Sequence, residues 1–393
     1  MPEIRFSGFY DEWEQRAFQE KIKLVGGATP SKSNLEYWDG DIVWLSSQEI
    51  KNKYVSEGTY KVTEKSVTEN RTKIVSAGTP LIVTRSGILA RRFPISISLN
   101  KLAINQDIKA LIFDKNKINT EFIVAEIISK EFYILNNIVK TGTTVQSVNI
   151  PDLNRMQVQI PNYEEQQKIG EFFKQLDDRI ALQQNHVEQL KQSKQGFLQK
   201  MFTKDGASVP EIRFDGFSGK WEKIKISEIF KVTRGQVLAT SKTVAEKSLE
   251  NQYPVYSSQT KNNGLLGYYN DFLFDTAITW TTDGANAGTV NFRKGKFYST
   301  NVNGVLISEN GFANKAISEI LNTQAWKYVS KVGNPKLMNN VMSNIMITIP
   351  INMKEQECLS NFIQNLDDYI IKNERELKLL QETKKGFLQK MFV

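Results

Sequence analysis

Along residues 163–202 the apolar positions advance in alternating steps of four and three: Ile169, Phe173, Leu176, Ile180, then Val187, Leu190, Phe197 and Met201. The same steps recur at Leu359, Ile363, Leu366, Ile370, Leu377, Leu380, Phe387 and Met391. This is the heptad spacing of a coiled-coil seam. Both copies interrupt it at matching places, once with an amide (Gln183, Asn373) and once with a lysine (Lys194, Lys384). A polar seam residue costs stability and fixes register and orientation. Pro161 and Pro350 precede the two copies and block extension upstream. Each stretch of about 40 residues, at ~1.5 Å per residue, makes a rod of roughly 60 Å. The pattern predicts two long helices that pair antiparallel, their length setting a separation as a ruler does.

Elsewhere the pattern is shorter and mixed. In the first part of the chain it predicts a helix from Trp13 to Val25 and strands at Asp41–Leu45, Leu81–Thr84, Ile104–Phe113 and Met156–Ile160, with a helix over Glu121–Leu135. In the second part it predicts strands at Thr276–Thr281, Gly304–Ile307 and Ile345–Ile349, and a helix over Lys315–Val329. The expected fold class is α+β: two mixed α/β domains in a pseudo-twofold arrangement, joined by two long antiparallel coiled-coil helices. The expected boundaries are 1–162 and 203–352 for the domains, 163–202 and 353–393 for the helices.

The chain also repeats itself. Gly196–Phe202 recurs as Gly386–Phe392, an offset of 190, and at that offset Glu165-Gln166 matches Glu355-Gln356 and Leu176-Asp177-Asp178 matches Leu366-Asp367-Asp368. Pro2–Phe6 recurs as Pro210–Phe214, an offset of 208, each copy followed by a tryptophan, Trp13 and Trp221. Between these landmarks, residues 25–140 and 230–330 share little. A duplicated frame carrying two unlike domains suits a protein that meets two identical partners while its domains touch different things. The end-to-start junction resembles the internal one, so the termini are expected close together.

Of 393 residues, 40% are hydrophobic and 24% charged, which suits packed globular domains. The net charge of +8 points to a polyanionic partner. No segment has the ~18 apolar residues of a membrane span, and the first ten residues carry Glu3 and Arg5 with no apolar secretory core. Cys358 is the single cysteine, so no internal disulfide forms, which suits a reducing cytoplasm. His186 is the single histidine and is expected at a solvated position on the helix, which removes histidine acid–base chemistry and Cys/His zinc sites. A phosphate-binding Gly-x-x-x-x-Gly-Lys-Ser/Thr loop is missing, and so is the Asn/Asp-Pro-Pro-aromatic signature of amino-methyltransferases. Asp152 follows Pro151 without a Glu-x-Lys partner for a nuclease site. Asp177-Asp178 and Asp367-Asp368 read as solvated or partner-facing charges. No catalytic, cofactor or metal site is expected on this chain.

Polar loops supply the candidate chemistry. In the first domain these give Ser47, Gln48, Thr84, Arg85, Ser86, Arg91, Arg92, Thr143, Thr144 and Gln146. In the second they give Ser258, Gln259, Lys261, Thr282, Asp283, Asn286, Asn334 and Lys336. Arginine matches the acceptors of guanine, amides match adenine, and hydroxyls and lysines hold phosphates. Any one of these loops also fits ordinary turn chemistry. The grouping of Arg85, Arg91 and Arg92 is the stronger DNA signal.

Two half-repeats, each a variable domain followed by Pro-x-x-x-Glu-Gln-x-x-Ile and a heptad helix ending Gly-Phe-Leu-Gln-Lys-Met-Phe, resemble the specificity subunits of type I restriction–modification systems. Here the motif runs Pro161, Glu165-Gln166, Ile169, with a variant copy Glu355-Gln356, Leu359 in which Cys358 stands where the first has Lys168. Asp283–Gly288, with Val290 and Phe292 beyond, also looks like a recognition-domain pattern. The resemblance implies a non-catalytic, cytoplasmic subunit binding double-stranded DNA, each variable domain reading half of a split site. It implies that the helices set the gap and dock two methyltransferase subunits, which carry S-adenosylmethionine. Motor–nuclease subunits would use ATP and Mg, and no membrane is involved. The competing readings are a symmetric adaptor without DNA affinity and a stand-alone nuclease with a cryptic carboxylate site.

Overall fold

The computed structural model describes residues 2–142, 145–204, 206–258 and 261–392. It divides into two compact units, residues 1–185 with 375–393, and residues 186–374. Each carries one mixed α/β domain packed on segments of two long helices, Tyr163–Met201 and Met353–Met391.

In the first unit, a five-stranded sheet runs in the order Lys23–Gly26, Ile108–Ile112, Pro80–Val83, Ile95–Ser98, Tyr54–Val55, antiparallel except for the last pair. A four-stranded sheet orders Tyr60–Val62, Trp38–Leu45, Leu102–Ile104, Lys73–Val75. Pro80–Val83 is buried at every residue, because both faces of that strand meet core. The helix Thr120–Ser129 is capped by Asn119, whose side chain accepts from the Phe122 amide. Phe122, Ile123 and Ile127 of that helix pack with Trp13, Phe18, Ile169, Phe173, Met391 and Phe392 in one core.

The second unit has a six-stranded sheet: Lys231–Arg234, Asn303–Ile307, Phe274–Thr281, Val290–Ser299, Tyr253–Tyr256, Leu265–Tyr269. Its helix Lys315–Ala325 is capped by Asn314 in the same way. Ile317, Ile320 and Leu321 join Met201, Phe202, Trp221, Leu359 and Ile363 in the core.

Three expected elements are corrected. Trp13–Val25 is no helix: Glu14–Ala17 is a strand paired antiparallel with Gln157–Ile160, followed by one helical turn, Phe18–Lys21, and a second strand. Phe18 and Ile22, four apart, are buried through that single turn, which gave the segment its helical look. The predicted strand Ile104–Phe113 is two strands, because Asn105 accepts the Asp107 amide and turns the chain between them. The helix over Lys315–Val329 stops at Ala325 and continues as a 3-10 turn.

The seam buries its apolar positions. Ile169, Phe173, Val187, Leu359, Ile363 and Ile370 are buried, while Leu176, Ile180, Leu190, Leu366, Leu377 and Leu380 are half-buried. Toward the end of the first helix the contact passes to Leu198, and Phe197 stays 40% exposed with its ring edge-on to Phe362. A 3.6-residue helix drifts about 20° per heptad against a 3.5 repeat, which moves the buried stripe by one position over this length. Cys358 is exposed, as Lys168 is, and Leu359 beside it is 3% exposed, so the variant motif keeps its core contact.

Within each unit the helix segments run antiparallel. In the first, Phe172 meets Phe387 at 5.0 Å and Arg179 meets Glu376 at 3.9 Å. In the second, Lys191 meets Glu374 at 2.7 Å and Phe197 meets Phe362 at 5.5 Å. Asp177 and Asp367 are not solvated, contrary to the sequence reading: each sits between lysines, Asp177 with Lys53 and Lys384, Asp367 with Lys194 and Lys315. The seam lysines are therefore partners of the paired carboxylates, while Asp178 and Asp368 stay exposed. His186 is half-buried, edge-on to Tyr369 at 6.2 Å.

The other repeated motifs are clamps. The Arg5 guanidinium donates to both oxygens of the buried Glu165 at 2.6 and 2.8 Å, and Arg213 does the same to Glu355 at 2.7 Å each. Gln166 and Gln356 donate to the carbonyls of Pro161 and Pro350 at 2.9 and 2.7 Å, tying each helix start to the strand before it. The Ile4 amide donates to the Lys390 carbonyl, and the Ile212 amide to the Lys200 carbonyl, both at 3.0 Å. The two chain ends thus meet in the first unit.

Candidate nucleic-acid interface

In the first domain three polar loops are fastened together. The Val148 amide donates to the Thr84 carbonyl at 2.8 Å and the Ser86 amide to the Gln146 carbonyl at 3.1 Å, with Arg85 bridged to Ser147 between them. Arg92 then donates to the carbonyls of Lys51 and Ile50 at 3.2 and 3.4 Å, joining this rim to the turn that holds Ser47 and Gln48. Arg85 and Arg91 are exposed and point charge outward. Arg92 is spent on holding two loops. Thr84 is buried and donates to the Asp107 carbonyl, and Ser86 caps the turn Gly87–Ala90, so both act inside the fold.

Ser47 and Gln48 line a recess of about 540 Å³ whose walls are Trp38, Trp44 and Tyr60. The three rings meet edge-on at 5.3 to 6.2 Å, and Tyr60 is 54% exposed. The loop reading missed these aromatics; the strand pattern around Trp44 contained them without marking them as surface.

The second domain repeats the fastening with unrelated residues. The Leu337 amide donates to the Thr282 carbonyl at 2.9 Å and the Gly284 amide to the Pro335 carbonyl at 3.0 Å, with Asp283 bridged to Lys336. Asp283 also accepts from Asn334 and lies 3.6 Å from the Lys336 ammonium. Asn286 reaches the Ser258 carbonyl at 3.5 Å, which brings in a third loop. Thr282 is buried and donates to the Val302 carbonyl, so it too acts inside the fold. Gly288 sits at φ +87°, where a Cβ would meet Val329 at 2.7 Å, so this loop needs glycine. Thr143, Thr144 and Gln259 lie outside the described residues, as does the side chain of Lys261.

Ser258 and Asn286 line a recess of about 130 Å³ with Arg293 in its wall. Arg293 is 6% exposed, and burial pushes its guanidinium down to about 10. Sequence alone did not single it out, since it lies beside Lys294 and Lys296 in a strand whose register shifts opposite Asp275–Ala277.

Among the described residues no group of three or more His, Cys, Asp or Glu side chains is placed to hold a metal ion. No helix of the described residues is long and apolar enough to cross a membrane.

Two mixed domains, each offering a fastened rim of hydroxyls, amides and cations and each packed on a repeated helical frame, define a reader rather than a reaction centre. The chain belongs to the type I restriction modification DNA specificity domain family, which matches it twice, over residues 10–192 and 218–382. It is similar to the type I restriction enzyme EcoR124I/EcoR124II specificity subunit of Escherichia coli, 34% identical over 167 residues, or 42% of this chain and 41% of that protein. The match to the MjaIX specificity subunit of Methanocaldococcus jannaschii is 24% identical and covers 97% of this chain and 92% of the relative. The fold matches the crystal structure of the S subunit of the type I restriction–modification system of M. genitalium with a TM-score of 0.71 at 16% identity, over 100% of this chain and 99% of the other. A structure from a study of assembly and conformational transition in the type I system matches with a TM-score of 0.56 at 14% identity, over 97% and 98%. The chain is thus a specificity subunit, the DNA-recognising and non-catalytic kind of component in such systems, and the adaptor reading is not favoured.

Proposed function

We propose that each recognition domain reads one half of a split, asymmetric duplex site, while the repeated helices set the gap and dock two methyltransferase subunits. The observation that carries this is the pair of fastened loop rims. Both domains join two loops through matching backbone bonds, Val148 to Thr84 and Leu337 to Thr282, and add a third through a side chain, Arg92 or Asn286, yet present unrelated side chains. A shared scaffold with different surface chemistry is what two half-sites of different sequence require. The duplicated helices suit two copies of one partner, since the same sequence recurs at Gly196–Phe202 and Gly386–Phe392. Methylation would then use S-adenosylmethionine on the methyltransferase subunits, and ATP with Mg would serve motor–nuclease subunits, all in the cytoplasm.

The test is selection of bound duplexes from a randomised library at near-physiological salt, using the chain together with its methyltransferase partner. The expected result is a split motif with a fixed gap. No enrichment from an intact complex overturns the proposal. Exchanging residues 25–140 for another recognition domain should then change one half of the motif only, and altered recognition of both halves would defeat the modular reading.

A further inference from the structure

Among the described residues, Arg293 is a buried cation without a counter-charge. Its Nε donates to the Thr279 hydroxyl at 3.2 Å, one terminal nitrogen donates to the Asn263 carbonyl at 2.7 Å, and the guanidinium stacks 3.7 Å from the centre of the Tyr256 ring. Among the described residues it makes no ion pair. A guanidinium stays protonated in proteins, and a buried charge ordinarily has a partner of opposite sign. Three carboxylates share a neighbouring recess with it, and lysines already hold all three: Lys315 reaches Asp367 and Glu319 at 2.8 and 2.7 Å, Lys194 also binds Asp367, and Lys191 holds Glu374 at 2.7 Å. The local balance leaves Arg293 as surplus positive charge.

The side chains that line the recess beside it are polar. Ser257, Thr281, Asn286, Thr289 and Asn291 line it with Arg293, and among the described residues no carboxylate does. At about 130 Å³ it holds roughly four waters' worth of volume, enough for one tetrahedral oxyanion and too little for a nucleotide. Hydroxyls and amides donate to phosphate oxygens, and an arginine supplies both charge and a planar pair of donors.

We propose that this recess is a phosphate site, in which Arg293 and the surrounding hydroxyls and amides seat one phosphodiester of the DNA backbone at the second half-site. The proposal rests on the DNA-recognition reading. It makes Arg293 a residue that fixes the register of the second domain on the duplex, with the loops at Ser258 and Asn286 forming part of the wall of the same recess.

Two measurements on the full chain test it. In the first, inorganic phosphate replaces chloride at constant ionic strength and unfolding is followed. Phosphate should raise the midpoint of the wild type more than that of Arg293→Gln. In the second, single methylphosphonate linkages are scanned through a bound duplex. One neutral linkage in the second half-site should weaken wild-type binding about tenfold or more and leave Arg293→Gln unaffected, and the salt slope of that variant should be smaller by about 0.9. If Arg293→Gln does not fold, Asn291→Leu, which fills the recess without a hydrogen bond to the guanidinium, should show the same losses. Equal phosphate effects in wild type and variant, with no linkage that distinguishes them, make Arg293 a structural residue and overturn the proposal. Phosphate discrimination without any DNA binding would keep the anion site and remove the DNA reading; DNA binding without phosphate discrimination would remove the site alone.

Discussion

Lys384, on the second long helix, sets its ammonium against the carboxylate of Asp177 on the first, and Lys53 of the recognition domain closes on the same carboxylate at 2.7 Å. Lys53 also reaches Glu121 at 2.8 Å. The other unit repeats the arrangement with Lys194, Asp367, Lys315 and Glu319. The lysine that breaks each seam is therefore matched to an acid on the opposing helix, which fixes the helix register. Burial alone would raise the Asp367 carboxyl, but hydrogen bonds and charge from Lys194 and Lys315 outweigh it and hold it below the usual carboxylate range. Its stabilising effect is present in full above the unfolded value, about pH 4, and is lost as pH falls below that. Asp367→Asn should cost about 2 kcal/mol at neutral pH, read by urea unfolding, and flatten the acid limb of the stability curve. Replacing Lys194 and Asp367 together by Met and Leu should cost less than Asp367→Asn alone; an equal or larger loss would show that the pair is not the coupled unit described here.

The Arg213–Glu355 clamp predicts a larger effect. Glu355 is 1% exposed and accepts from Arg213 twice and from the Trp221 indole at 3.1 Å. Glu355→Gln strands a mostly buried cation, and should destabilise by about 2–4 kcal/mol. Hydrogen exchange should rise first in residues 210–221. Unchanged exchange there would mean that the segment is held by packing.

Glu126 gives a pH dependence of the opposite sign. Burial raises its carboxyl to about 7, against the lowering influence of Lys130 and of the Gln159 amide. Between about pH 4.5 and 7 the folded chain binds more protons than the unfolded chain, so this residue makes stability fall as pH rises, levelling off above 7. Glu126→Gln should be near neutral at pH 5 and stabilising by about 1–3 kcal/mol at pH 8. A constant difference across that range would refute the buried-acid description.

Three neighbouring arginines should separate by role. Arg85 and Arg91 are exposed, and replacing either by alanine should leave the melting temperature unchanged. If Arg85 reads a base, Arg85→Ala relaxes specificity in one half-site; if it clamps phosphate, affinity falls uniformly and the salt slope drops by about 0.9. Arg92→Ala should instead destabilise by about 1–2 kcal/mol, because the Ile50 and Lys51 carbonyls lose their donor. Equal thermal stability of all three variants would remove the distinction.

The frame was legible in the sequence because identity and heptad period both survive in it: the seam from Ile169 to Leu190 and from Leu359 to Leu380 is buried or half-buried throughout. What its motifs do was not legible. Arg5 and Glu165 stand 160 positions apart, and nothing local to either marks the other. The failure at Trp13–Val25 has a similar cause, since the strand at Glu14–Ala17 exists only through its pairing with Gln157–Ile160. Among the loop residues, composition could not separate Arg85 from Arg92, because burial and carbonyl partners decide their roles. Arg293 carried no mark at all, since a strand position gives no sign of the recess that its side chain lines.

The crossing of the frame has a further meaning. Trp13 packs against Phe392 and Trp221 shares a core with Phe202, so each recognition domain is finished by the helix end of the other repeat. Those helix ends are identical, Gly196–Phe202 and Gly386–Phe392. A chain of half the length would expose the surface around Trp13 and Phe173 until a second copy offered its own Met201-Phe202 in place of Met391-Phe392. The homodimer so formed would carry two equal readers and favour a palindrome. Fusing two such genes preserves every contact of the frame while freeing each reader to drift alone, and an asymmetric target then requires divergence in one reader and no new architecture.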